Sequence, residues 1–302
     1  MRLLFCSDPL NPHSPDPVYA DELAAVQMLG LGHSLINFEA LVNACDTENA
    51  VRRVAPASNE GEVGVYRGWM LSEDQYASLY SALADRRVML VNTPAQYGYC
   101  HSLPCWYNKL EGYTPRSVWT QAGDTSLARL MVLLQDFGDH PVIVKDYVKS
   151  RKHEWLEACF IPSAADTEAV ERVTRRFLDL QGDDLNGGLV FREFVHLEPL
   201  GSHSKSGMLL TREFRLFFLD GEVIQVSRYW DQGDYIGETP PLAHFTRLAA
   251  LVESRFFTMD VAKTTEGEWL VVELGDAQVA ELPEDADAYD FFARLRQKLS
   301  SE

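Results

Sequence analysis

The chain has little that would tie it to a membrane, to nucleic acid or to an oxidising compartment. It contains no stretch near the roughly 20 apolar residues that cross a bilayer. Its first apolar run, Leu3 to Cys6, stops at Asp8 and is too short for a signal peptide. Cations are scarce: 27 Lys and Arg face 45 Asp and Glu, a net charge of −18. Such a surface repels phosphate backbones, so nucleic acid is not an expected partner, and any phosphate site must be a local basic patch. Cysteines number five, an odd and scattered set. That argues against a disulfide framework and fits a reducing cytoplasm. Cys100 and Cys105 with His101 could form half of a zinc site, but no second pair exists, so free or structural thiols are expected. The sequence holds neither a Walker A loop nor a GxGxxG turn, no internal repeat and no low-complexity linker.

What is present is a well-marked series of elements. Leu3 to Cys6 reads as a strand, Asp21 to Leu29 as a helix closed by Gly30, and His33 to Phe38 as a second strand. Ser72 and Gln75 form a capping box ahead of a helix with Tyr76, Leu79, Tyr80 and Leu83 on one face. Val88 to Val91 reads as a buried strand. This alternation predicts a small, mainly parallel sheet. Beyond it, Asp124 caps a helix stopped by Gly138, Pro141 to Val144 is a strand ending at Lys145, and Asp166 to Leu180 is amphipathic. Long β segments follow: Leu189 to Val195, Met208 to Leu219, Glu222 to Tyr229, Phe256 to Thr264 and Trp269 to Leu274. Asp220-Gly221 and Glu266-Gly267 read as hairpin turns. Helices are expected from Pro241 to about Ser254 and from Asp287 to Leu299. The fold class is α+β, with an α/β first domain over 1–105 and a second domain over 106–302, split into subdomains of about 106–188 and 189–302.

Four places carry chemistry. Lys145 ends an apolar strand and precedes Lys149, Arg151 and Lys152, a concentration of cations suited to a polyphosphate or, more plainly, a solvated basic loop. Lys109 follows the first sheet and alone reads as a surface lysine. Phe191-Arg192-Glu193-Phe194-Val195 is a strand end whose backbone can read an adenine edge, or an ordinary edge strand. Asp260 and Glu273 flank the Gly267 turn, so a hairpin would set them side by side, with Asp276 just beyond. Paired carboxylates repel unless a cation or proton lies between them, and hard oxygen ligands beside phosphate suit Mg²⁺. A solvated acidic pair is the alternative. The segment Gly201 to Gly207 reads as a lid, a substrate loop or a mobile connector, with His203 and Lys205 as candidate substrate contacts.

In order, Lys109, Pro-Val-Ile-Val-Lys145, Phe191 to Val195, Glu213-Phe-Arg215 and Asp260 with Glu273 resemble the motifs of the ATP-grasp superfamily over roughly residues 85 to 280. The opening third resembles its pre-grasp domain. The stretches Arg-Glu-Phe-Val, Glu-Phe-Arg-Leu-Phe-Phe and Val-Val-Glu-Leu-Gly-Asp resemble a small bacterial and phage clade, and also the eukaryotic ATP-grasp chaperone that assembles a translation initiation factor. The resemblance implies ATP and Mg²⁺ as cofactors. Lys109 and Lys145 would hold the α- and β-phosphates, and Arg192 to Val195 would line the adenine, with backbone contacts from Glu193 and Val195. Glu198 would reach the ribose, and Asp260 and Glu273 would ligate Mg²⁺. Arg215 would face the phosphates, with Arg228 near the transferred group. Two departures stand out. The usual Glu-x-Asn metal motif reads Glu273-Leu274-Gly275, leaving Asp276 as a replacement ligand, and the loop after Lys145 lacks glycines.

The implied activity is a carboxylate–amine or carboxylate–thiol ligase working through an acyl-phosphate on a peptide or small molecule. The alternative is a nucleotide-binding assembly factor that grips a protein partner.

Overall fold

The computed structural model describes residues 1–202, 204, 209–237, 239–283 and 286–300; His203, Lys205 and Met208 lie outside the described residues. The chain forms two compact units that interleave along the sequence. The first comprises Met1–Cys100, Glu213–Asp260 and Leu274–Glu302, and the second His101–Arg212 and Val261–Glu273. The boundaries expected from sequence, at 105 and 106, are linear by contrast.

The first unit opens with strands β1 (Arg2–Cys6), β2 (Gly32–Ile36), β3 (Glu62–Arg67) and β4 (Val88–Leu90), in the order β2-β1-β3-β4. All three pairings are parallel. A central parallel strand is covered on both faces, which explains the unbroken apolar run of β1. Leu3 and Phe5 pack with Val26, Phe217, Phe256 and Phe292, while Leu4 and Cys6 pack with Tyr66, Tyr76 and Leu79. The helix Glu73–Ala84 carries the anticipated capping box, with Ser72 and Gln75 satisfying each other's backbone.

The second unit contains β5 (Ser117–Trp119), β6 (Val142–Asp146), β7 (Phe160–Ile161) and β8 (Leu189–Glu193), an antiparallel sheet in the order β5-β8-β6-β7. The helix Thr167–Gln181 covers it through Val170, Val173 and Phe177. Its N-cap is Asp166, which accepts from the Ala169 N–H at 3.0 Å. Strands β9 (Pro199–Ser202) and β10 (Leu209–Thr211) pair antiparallel.

The expected strand from Met208 to Leu219 is interrupted at Arg212, whose N–H donates at 2.8 Å to the Glu198 carbonyl; β11 begins afterwards, at Glu213. β11 (Glu213–Leu219) and β12 (Glu222–Arg228) form the hairpin predicted at Asp220-Gly221. With β13 (Phe256–Lys263) and β14 (Trp269–Asp276) they make a sheet in the order β12-β11-β13-β14. β13 passes into the second unit after Asp260, and β14 returns to the first after Glu273. Three element ends also move. The ladder of β8 stops at Glu193, the helix expected at Asp124 starts at Leu127, and the helix after Pro241 ends at Ala249. Among the described residues, no helix is long and apolar enough to cross a membrane.

Candidate functional site

In the second unit the chemistry gathers at the end of β6. Val142 and Val144 face the core, and Lys145, opposite Val190 of β8, is itself buried. A buried ammonium must be paired. Its Nζ donates to Glu273 Oε1 at 2.8 Å and to the Val148 carbonyl at 3.0 Å. The Lys145 side chain is only 7% exposed and that of Glu273 is 39% exposed, so Glu273 is the member of the pair a ligand can reach. Burial pushes the Glu273 carboxyl up, but Lys145, Lys152 and Arg192 outweigh it and hold the group at about 2. It is ionised throughout the physiological range.

Arg192 is buried beneath this pair. Its guanidinium donates to the Val272 carbonyl at 2.6 Å and to Thr114 Oγ1 at 2.5 Å, fastening β8 to the strand that carries Glu273. Burial lowers its pKa to about 10, and Glu273 offsets part of that fall. Its Nε has no hydrogen-bond partner among the described residues. Arg192 therefore supports the carboxylate from behind, a role the sequence pattern gave no sign of.

The basic segment after β6 is not uniformly solvated. Asp146, which sequence reasoning passed over, accepts from the Val148 and Lys149 N–H groups and from Gln181 and both Asn186 nitrogens. Arg151 donates to the Gln181 side chain at 2.6 Å and to the Leu180 carbonyl. One buried carboxylate thus organises the turn that presents the neighbouring cations. The signal available was an Asp directly after the strand, where Asx turns form.

Glu193 is exposed at the end of β8, with its N–H donated at 2.8 Å to the Arg116 carbonyl. Phe194 lies beside the rings of Phe160 at 5.1 Å, Trp155 at 5.8 Å and His196 at 5.0 Å, and Val195 is half-buried. Glu198 accepts from Arg212 at 2.7 Å and lies 3.2 Å from Lys263. The Arg212 hydrogen bond and the Lys263 cation hold its carboxyl below the usual range. Lys109 is exposed near the end of the helix Leu103–Leu110.

In the first unit, Arg215 and Asp260 form a two-pronged pair, with Nε–Oδ1 at 2.8 Å and Nη2–Oδ2 at 2.9 Å. The guanidinium carbon lies 5.2 Å from the centre of the Tyr229 ring. Cross-strand register separates Arg228 from Arg215. Arg215 is opposite Ser227 and Phe214 is opposite Arg228. Side chains alternate along a strand, so Arg228 lies on the other face, 5.4 Å from the Tyr235 ring centre.

Asp276 is also drawn away. It is fully buried, and its oxygens accept from Asn92 Nδ2 at 2.6 Å, the Gln278 N–H at 2.9 Å and Gln278 Nε2 at 3.2 Å. Burial pushes its pKa to about 6 despite these bonds. Both oxygens of this carboxylate are thus engaged inside the core. No group of three or more His, Cys, Asp or Glu that could hold a metal occurs among the described residues. All five cysteines are free, and burial lowers the His101 pKa to about 4, so it stays neutral at pH 7.

The family model for the ATP-grasp domain, R2K clade family 3, matches residues 136–296, more than half of the chain. A comparison with curated proteins gives no match. Among solved structures, the RimK domain ATP-grasp protein from Sphaerobacter thermophilus DSM 20745 aligns over 98% of both chains, with TM-score 0.62 and 15% identity. The D-cycloserine synthetase DcsG aligns over 99% of this chain and 100% of its own, with TM-score 0.61 and 14% identity. The ATP-grasp ligase PsnB, solved with a minimal precursor, Mg and ADP, aligns over 98% of this chain and 97% of its own, with TM-score 0.57 and 14% identity. At such identities the likeness is one of fold.

Proposed function

The chain belongs to R2K clade family 3 of the ATP-grasp domain, and on that premise we propose that it is a cytoplasmic ligase that uses ATP and Mg²⁺ to join a carboxylate to an amine or thiol. The observation that carries this reading is the Lys145–Glu273 pair: a buried ammonium 2.8 Å from a half-open carboxylate held at about 2. Phosphoryl transfer needs fixed charges of both signs, since cations neutralise the phosphates while carboxylates retain the metal.

Mg²⁺ is usually held by only one or two carboxylates together with substrate phosphates and water. Glu273, half open beside Lys145, fits that pattern as one such carboxylate, and Asp260 would serve as the second on release from Arg215. Bound there, the metal would neutralise charge on the leaving phosphates. Lys145 and Lys109 hold phosphate oxygens in this reading, and Arg215 faces them from β11. Adenine lies against the Phe194 ring group and the backbone of Glu193 and Val195, and Glu198 reaches the ribose. The acceptor carboxylate attacks the γ-phosphorus and ADP leaves. An amine or thiol then attacks the acyl carbon, phosphate leaves, and the nucleophile gives up its proton. PsnB, solved in complex with a precursor peptide, lends support to a peptide as one of the substrates. The five free thiols suit a reducing compartment.

The test is phosphate release from ATP and Mg²⁺ across a library of amino acids, peptides and metabolites. Acceptor-dependent release that falls at least about a hundredfold in Lys145→Ala supports the ligase. Saturable ATP binding with no release for any acceptor favours the assembly-factor reading, in which ATP orders a surface for a protein partner.

A further inference from the structure

Around Arg215 the first unit contains a cleft of about 260 Å³, lined by Arg215, Tyr229, Trp230, Asp231, Glu281 and the Leu282-Pro283 turn. Its walls are aromatic and its rim is acidic. The charges around it can be counted among the described residues. Arg215 is matched by Asp260 through two hydrogen bonds, and the adjoining Arg67 is matched by Glu22 through two more, each 2.7 Å long. Glu281 acts on Arg67 and Tyr19 from the same side. Among the described residues, Asp231 and Glu281 thus remain as two exposed acidic side chains in excess.

Tyr229 and Trp230 meet edge to face, with centres 4.8 Å apart. Aromatic faces beside carboxylates attract cations through the ring quadrupole as well as the charge. Arg215 already rests 5.2 Å from the Tyr229 ring centre, so the wall demonstrably accommodates a cation. The net charge of −18 favours cationic ligands at longer range. The volume lies just below the usual span for whole drug-sized ligands, about 300 to 1,000 Å³, and so suits one side-chain-sized group.

We infer that this cleft binds a cationic group of the acceptor, an ammonium or guanidinium carried at a distance from the reacting atom. The assignment of this ligand as an acceptor rests on the ligase reading; the binding itself does not. A basic residue of a peptide, a basic amino acid or a diamine all present this chemistry. A neutral or acidic group of similar size leaves Asp231 and Glu281 unmatched and gains nothing from the rings.

The experiment is calorimetric titration of the full chain, without nucleotide, with agmatine and cadaverine as cationic probes and pentanol and glutarate as neutral and acidic ones. Agmatine or cadaverine should bind saturably, and at least about tenfold more tightly than pentanol or glutarate. The double variant Asp231→Asn, Glu281→Gln changes only exposed side chains and should lose about tenfold in cation affinity. Trp230→Leu should weaken binding by a smaller factor while leaving its salt dependence intact. Equal affinity for the four probes, or an unchanged affinity in the double variant, overturns the inference. An enzyme that releases phosphate with neutral or acidic acceptors and ignores the cations overturns it too, while leaving the ligase standing. Cation binding in a chain that never turns over ATP upholds the cleft and contradicts the ligase.

Discussion

Lys145 and Asp276 are both charged residues taken out of water, and the difference between them separates site from scaffold. Lys145 is paired with a carboxylate that is still reachable, whereas Asp276 is enclosed by Asn92 and Gln278. Both lie at strand ends, and the sequence pattern marks both as candidate site residues. The partner that encloses Asp276 is 184 residues away, beyond any local pattern. Arg192 was placed against adenine by resemblance, while its hydrogen bonds run to Thr114 and the β14 backbone. Asp276 and Glu273 act in separate pH windows. Asp276 is raised to about 6, so the native state binds its proton more tightly than the unfolded chain. Its contribution is complete below about pH 4 and is lost as pH rises through 6. Glu273 is depressed to about 2, so its contribution is present above pH 4.5 and disappears as pH falls toward 2. Asp276→Asn should therefore flatten the loss of melting temperature between pH 4 and 6. A variant whose pH profile overlays the wild type contradicts the burial argument. Asp276→Ala should cost about 3 kcal/mol in denaturant unfolding, because the Asn92 and Gln278 donors lose their acceptor.

At the scale of elements, turns and caps were the most readable features and strand ends the least. Ser72 with Gln75, and Asp220-Gly221, act through neighbours only a few residues away, so their spacing suffices. The break at Arg212 depends on a hydrogen bond to Glu198, and the facing of Arg228 on cross-strand register, neither of which a strand pattern encodes. The approach to β8 offers a direct test. Gly187 has φ +72°, and an added Cβ would lie 2.3 Å from the Tyr147 ring. That ring is pinned, because its hydroxyl donates to the Thr120 carbonyl at 2.6 Å. Gly187→Ala should lose about 3 kcal/mol, from strain together with overpacking. Gly267, at φ +91° in the β13–β14 turn, has open space around it. Gly267→Ala should lose only about 1 kcal/mol, the conformational part alone. Equal losses in urea titrations would mean that Tyr147 yields.

For the whole molecule, the α+β class and the parallel opening sheet were readable from the alternation of strands and helices. The interleaving of the two units was not, because it depends on where β13 and β14 pass from one to the other. The family match spans the segment that carries Lys145, Arg192, Arg215, Asp260 and Glu273 together. In the proposed reaction these residues have separate tasks: Lys145 for phosphate, Glu273 for the metal. The decisive measurement is ADP formation beside the ATP-induced rise in melting temperature, for wild type and Glu273→Gln, in the presence of Mg²⁺ and an identified acceptor. Glu273→Gln should lower turnover by about a thousandfold, since the metal neutralises charge that develops only in transfer. The ATP-induced rise should fall by no more than about half, because the nucleotide keeps its other proposed contacts. Wild-type turnover in Glu273→Gln, or a loss of nucleotide binding as large as the loss of turnover, would contradict this division of tasks.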